Sequence, residues 1–196
     1  MIAKLTIQSI RQLVLWSVVT GVLYPAVMLA VAQVCFPRQA NGSLVYRDGA
    51  LVGSALIAQQ FQGDRYFWPR PSAGTYATVP SAASNLGPTS AQLQSNVQAN
   101  LKALREANHV SADTPVPSDL VFTSASGVDP DISPAGARFQ VARVAAARGL
   151  TVAQVDAVLD RHVEGPQWGF LGEPRVNVLL LNLALDRAYP ATAPKE

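Results

Sequence analysis

Apolar residues run without a charge from Leu13 to Phe36, interrupted only by Ser17, Thr20, Gly21, Pro25 and Gln33. As a helix this stretch is about 36 Å long, at roughly 1.5 Å per residue. A bilayer's hydrocarbon core is about 30 Å thick, so the pattern predicts one tilted transmembrane helix. Trp16 lies near one end, where an amphipathic ring suits the membrane interface. Thr20, Gly21 and Pro25 form a candidate helix-contact surface. Small residues let helices approach in lipid, and the donor lost at a proline needs compensation. The plainer reading is a tether that touches only lipid. A cleaved signal peptide is the competing reading, with Lys4 and Arg11 in front and Ala30-Val31-Ala32 as a cleavage pattern. The apolar length before Ala30 exceeds the usual 7–15 residues of such a leader, which favours a retained anchor. The expected division is a short cytoplasmic segment at 1–12, a transmembrane helix at 13–36 and a soluble domain at 37–196.

Past the membrane the periodicity changes. Ser43–Tyr46 and Leu51–Ile57 flank Asp48-Gly49, a turn dipeptide between apolar runs, which predicts a β-hairpin. Asn41-Gly42 is a further turn signal. Residues 69–88 are rich in Pro, Gly, Ser, Thr and Ala and predict a long irregular loop. Thr89 and Gln92 make a capping box for a helix to Asn108, with Leu93, Val97, Leu101 and Leu104 inward. Ser133-Pro134 opens a second helix to Arg148, with Gly149 at C′ and Ala137, Val141, Val144 and Arg148 on one face. Thr151 and Gln154 box a third, with Val152, Val155, Val158 and Leu159 inward and His162 continuing the stripe as a packed residue. Asp119–Thr123 reads as a strand. Arg175–Leu185 reads as a strand passing into a helix. The fold class is α/β or α+β: one transmembrane helix followed by a single mixed helix–sheet domain.

Composition sharpens the picture. Of 196 residues, 15 are basic and 13 acidic, and 49% are hydrophobic. That balance leaves no basic face for nucleic acid, and the hydrophobic content excludes a disordered chain. One cysteine and two histidines give little material for a disulfide, a zinc site or a histidine-based triad. His109 stands alone at a helix end. No phosphate-cradling P-loop, nucleophile elbow or zinc-protease motif occurs. The chain therefore reads as a non-enzyme, with no catalytic residues, no metal and no covalently bound cofactor. Charge asymmetry around the helix is slight, and it favours a cytoplasmic N-terminus with the domain outside.

Two polar segments remain as candidate sites. Arg65, Tyr66, Phe67, Trp68 and Arg70, with Ser84 and Asn85 further on, form an aromatic–arginine segment. Interfaces favour those residue types, though aromatics that pin a loop to the core give the same pattern. Ser126, Gly127, Asp129 and Ser133 lie in a polar loop before a helix N-terminus. Free N–H groups there bind anions, but Asp129 and Asp131 repel a phosphate, and a capped turn explains the residues equally.

Longer strings carry a family resemblance. They are Tyr24-Pro25, Phe36-Pro37 with Ala40–Leu44, Tyr66–Ala73, Ser84–Pro88, Pro115–Pro117, Ser124–Gly127, Asp129-Pro130 with Ile132–Pro134, Gln140–Val144, Phe170–Leu179 and Leu183–Asp186. Together they resemble the C-subunit family (KdpC) of the bacterial Kdp potassium-transporting ATPase, over nearly the whole chain. Val163 and Gly136 stand where that family commonly has Thr and Ala. The resemblance implies an accessory subunit of a high-affinity inner-membrane pump. Its partners would be a potassium-binding channel-like subunit, an ATP-hydrolysing subunit that forms the aspartyl phosphate, and a small lipid-like subunit, in membrane lipid. It implies support of assembly and a catalytic-chaperone role that raises the ATPase subunit's affinity for ATP. ATP association rests on the resemblance alone. A domain outside the membrane does not meet cytoplasmic ATP, which favours the assembly role. The alternatives are a secreted or anchored hydrolase, or a ligand-binding module, with a cleaved signal peptide.

Overall fold

Helix begins at Ile2, well before the apolar stretch, in a computed structural model that describes residues 1–190. The last six residues of the expected soluble domain, 191–196, lie outside the described residues. Helices α1 (Ile2–Val18) and α2 (Tyr24–Cys35) are joined by a π-helical turn, Val19–Leu23, into one 34-residue rod. The turn has a local cause. Pro25 has no N–H for the Gly21 carbonyl, and its ring crowds that carbonyl. Just before it, the Tyr24 N–H reaches back to the Val19 carbonyl, the wider spacing that defines a π turn. The Thr20 hydroxyl donates to the Trp16 carbonyl at 2.7 Å. No residue of the rod is buried. Among the described residues it is the one helix long and apolar enough to cross a membrane.

The chain divides into two compact units, Met1–Val52 and a second from Gly53 onward. In the first, α3 (Pro37–Ala40) follows the rod. The Asn41 side-chain amide donates to the Pro37 carbonyl at 2.6 Å and to the Gln33 side chain at 3.1 Å, so the one amide in the apolar stretch is paired. Strands β1 (Leu44–Arg47) and β2 (Ala50–Ser54) form the expected hairpin. Asp48 and Gly49 both take positive φ, 51° and 80°, as a two-residue turn matched to strand twist requires. The second strand stops at Ser54, short of Ile57.

In the second unit, residues 55–90 hold no regular helix or strand. Then come α4 (Ala91–Ala107), α5 (Ser118–Val121), β3 (Asp131–Ile132), α6 (Pro134–Arg148), α7 (Val152–Asp160), β4 (Val163–Glu164), β5 (Arg175–Asn177) and α8 (Val178–Ala188). The strands form an antiparallel sheet in the order β3-β5-β4, with Val176 opposite both Ile132 and Val163. A bridged turn, Gln167 opposite Leu171, lies between β4 and β5. The core joins Leu120, Ile132, Val144, Val155, Leu159, Val176, Leu181 and Leu185 with Phe67 from the irregular segment. The unit combines helices with a sheet, the mixed class the sequence predicts, though it begins at Gly53 and not at residue 37.

Most caps match and a few shift. Ser133 caps α6 and Gly149 ends it at φ 67°. Thr151 and Gln154 complete a capping box at α7. Asn177 closes β5 and caps α8. For α4 the cap is Ser90, not Thr89, because the Ser90 N–H closes a turn onto Gly87 and leaves Thr89 outside. Val152, expected inward, is half exposed. The segment read as a strand, Asp119–Thr123, is mostly the helical turn α5, because the Leu120 N–H turns back to Pro117 and the Phe122 N–H to Ser118. The Asp119 carboxylate then accepts the Ser133 N–H at 2.7 Å.

Candidate functional site

The aromatic–arginine segment is held by side chains from α6 and α8. Asn182 and Gln140 are completely enclosed. The Asn182 amide accepts the Phe67 N–H at 2.8 Å and donates to the Phe67 carbonyl at 2.9 Å. Gln140 does the same for Trp68, at 2.8 and 3.1 Å. Two side-chain amides thus take the place of a neighbouring β-strand. Arg143 donates to the carbonyls of Asp64 and Tyr66 at 2.8 and 3.0 Å, to Asn108 at 3.2 Å and to Gln140 at 2.7 Å. Its guanidinium lies 4.0 Å from the centroid of the Trp68 ring. Burial lowers the Arg143 pKa to about 10, against the opposing pull of the Asp64 carboxylate. Arg148 donates to the Arg65 carbonyl at 2.7 Å and pairs with Asp186 at 2.9 Å. Buried polar groups survive only when paired, and this set is paired with one stretch of backbone, residues 64–68.

The predicted site residues occupy different depths. Phe67 is wholly buried and offers no surface. Tyr66, Trp68, Arg65 and Arg70 are half-buried. Arg65 sits 5.6 Å from the Tyr66 ring centroid, and the Trp68 indole N–H donates to the Gly63 carbonyl at 3.0 Å. Arg70 reaches the other candidate segment and pairs with Asp129 at 3.0 Å. The Ser124 N–H bonds the Pro71 carbonyl, and a side chain at Gly127 would meet the Ala82 carbonyl at 2.7 Å, so the polar loop lies directly against the irregular one. Ser84 is half-buried and Asn85 exposed. Ser126 accepts the Val128 N–H within its own turn. At the α6 N-terminus, Asp119 and Ser133 already take the N–H groups of Ser133 and Gly136. The chain's own carboxylate fills the place an anion would take. In the membrane rod, Thr20 and Gly21 lie in the π turn and Pro25 just after it. An added side chain at Gly21 would meet nothing within 4 Å.

Beside the gripped segment is a cavity of about 390 Å³, lined by Phe61, Trp68, Pro69, Pro71, Tyr76, Leu104 and Leu120 with Gln60, Gln62 and Asn100. The Tyr76 hydroxyl donates to the Arg70 carbonyl at 3.0 Å, and burial raises its pKa. Such a lining suits apolar or planar groups and carries no nucleophile. Among the described residues no group of three His, Cys, Asp or Glu side chains could hold a metal. Sequence reasoning missed Gln140, Arg143 and Asn182 as builders of this region. The available signal was polar residues in a buried register: Gln140 beside Val141 in α6, and Asn182 within the apolar run of α8.

Residues 6–187 match the family described as KdpC, K+-transporting ATPase, c chain. The chain belongs to the KdpC family. It is 57% identical over 172 residues to the potassium-transporting ATPase KdpC subunit of Sorangium cellulosum, covering 86% of this chain and 90% of that one. It is 50% identical over 181 residues to the KdpC subunit of Methylococcus capsulatus, covering 91% and 95%. Against the KdpC subunit of Burkholderia vietnamiensis it is 55% identical over 175 residues, covering 88% and 90%. The match takes in all but the first four residues of the rod, the gripped segment and nearly all of the helical residues of the second unit. The Arg143–Gln140–Asn182 grip is therefore built within a KdpC-family domain.

Proposed function

We propose that this chain is a non-catalytic subunit of a high-affinity, ATP-driven potassium uptake pump, anchored by its N-terminal helix in the bacterial inner membrane. It supports assembly of the potassium-binding and ATP-hydrolysing subunits, beside a small lipid-like subunit, and raises the ATPase subunit's affinity for ATP. One observation carries the reading. Four polar side chains of the second unit, Gln140, Arg143, Arg148 and Asn182, hold the backbone of residues 64–68. A segment held so firmly by its own domain acts on a neighbour by contact. Rigidity in turn lowers the ordering cost of that contact.

The partner surface is what the grip leaves accessible: Arg65, Tyr66, Trp68 and Arg70, with Ser84 and Asn85 beyond, while Phe67 is withdrawn into the core. Thr20, Gly21 and Pro25 form the contact within the membrane. The slight charge bias around the helix supports a domain on the periplasmic side. From there it influences ATP affinity only through the ATPase subunit, not by touching nucleotide. A match that begins at residue 6 and takes in the apolar helix supports a retained anchor over a cleaved leader, and disfavours a secreted hydrolase or free ligand-binding module.

Co-expression with the other pump subunits tests the assembly role. The tagged chain retains them through detergent extraction, and recovery of the chain alone refutes it. Titrating ATP against the ATPase subunit with and without this chain tests the second role, where equal half-saturation refutes it. For topology, a cysteine at exposed Thr78 on a Cys35→Ser background reacts with an impermeant thiol reagent in intact spheroplasts. Labelling only after lysis places the domain inside.

A further inference from the structure

Between β4 and β5 the chain holds three large apolar side chains away from itself. Trp168 is 85% exposed, Phe170 73% and Leu171 44%. The turn that carries them is fixed. The Gln167 N–H bonds the Leu171 carbonyl at 2.8 Å, and the Leu171 N–H bonds the Gln167 carbonyl at 2.9 Å. The Gly169 N–H closes onto Pro166 at 3.0 Å. Trp168 itself takes a φ of 53°, a conformation that a bulky residue rarely adopts. The backbone is thus shaped to present an indole and a phenyl ring to the outside. Aromatic anchors on a preformed turn lose little conformational freedom when they are buried in a partner.

Charge decides the partner's kind. Residues 165–174 contain one charged side chain, Glu173, and no base. Glu173 is exposed and has no ion pair among the described residues. At the foot of the turn, exposed Glu164 pairs with Arg175, which also reaches Asp131. Segments that settle on anionic membranes combine aromatics with Lys or Arg, and this turn has neither. An apolar tip with an acidic flank fits an apolar pocket rimmed by basic groups.

We propose that the Pro166–Leu171 turn is a docking anchor that inserts Trp168 and Phe170 into such a pocket on another subunit of the pump. The proposal rests on the pump-subunit reading above. Its test uses the full chain, co-expressed with the other subunits, with a photoreactive amino acid at position 168 or 170. Irradiation gives an adduct to one of those subunits. Trp168→Ala with Phe170→Ala weakens retention of the chain about thirtyfold or more, roughly 2 kcal/mol at 1.4 kcal/mol per factor of ten. Because both rings are exposed, the melting temperature of the full chain stays unchanged, and Phe170→Tyr retains most of the binding. Glu173→Lys weakens retention further in low salt than in high salt. Adducts only to lipid, only to a second copy of this chain, or to nothing overturn the proposal. Should the wild-type chain co-purify with the other subunits in that case, the subunit reading stands without the anchor. A wild-type chain that co-purifies with none of them removes both.

Discussion

Replacing Asn182 by Leu removes the amide that serves both polar groups of Phe67 while keeping the branched shape of the side chain. The Phe67 N–H and carbonyl, at 2.8 and 2.9 Å from Asn182, then stay enclosed with nothing to bond, because Phe67 has no exposed surface. Each unsatisfied buried group costs about 1–3 kcal/mol, so the pair costs about 2–6 kcal/mol. For a domain of this size each kcal/mol lowers the melting temperature by about 3 °C, which predicts a fall of at least about 6 °C. The full chain in detergent is the sample, followed by thermal unfolding and by limited trypsin digestion at the Arg65–Tyr66 bond. The variant should melt early and be cut there faster. Gln140→Leu should behave alike through Trp68. Since the two amides hold adjacent residues, the double variant should cost less than the sum of the singles. Melting within about 2 °C of wild type, with an unchanged cleavage rate, would show that the amides do not hold the segment.

Trp68→Ala removes the ring under Arg143 and the bond to Gly63, and should lower the melting temperature by several degrees; unchanged melting with reduced subunit retention would make Trp68 a pure interface residue. Asp131 has a raised pKa, first from burial and then from Asp129, against the pull of Arg175 and Asn177, with Glu164 adding to the rise. The native state therefore binds this proton more tightly than the unfolded one, so its contribution to stability is present in acid and is lost as pH rises through the native pKa. Asp131→Asn should be neutral or stabilising at pH 7, with the difference shrinking as pH is lowered in urea titrations; a large loss at pH 7 would contradict this. Gly21→Leu meets open space within the chain, so it should leave insertion intact yet reduce complex recovery in mild detergent if a neighbouring helix packs there.

Local signals carried much of the fold, and distant ones did not. The Asp48-Gly49 hairpin, the Ser133-to-Gly149 helix and the Thr151–Gln154 box depend on residues within a few positions of one another, and each formed as its pattern predicts. The Asp119–Thr123 segment misled because three apolar residues, Leu120, Val121 and Phe122, fit a strand or a single helical turn equally, and α5 is fixed by Asp119 bonding Ser133, fourteen residues on. At α4, Thr89 and Ser90 are both good caps, and only the turn onto Gly87 separates them. The grip on residues 64–68 joins positions 72 to 115 apart, which no spacing rule encodes. The aromatic segment stood out in the sequence, but its buried and half-exposed members were not distinguishable. Trp168 and Phe170 gave no periodic signal at all, because a tight turn exposes apolar residues that a strand or helix would bury.

The central claim is that this chain acts on the pump by contact alone. The measurement is potassium-stimulated ATP hydrolysis by the reconstituted pump, with this chain present, absent, and added back as purified full-length protein. The chain alone should hydrolyse no ATP, its omission should abolish or sharply reduce coupled activity, and adding it back should restore both activity and the ATPase subunit's affinity for ATP. Full potassium-stimulated hydrolysis at unchanged ATP affinity without the chain would contradict the account.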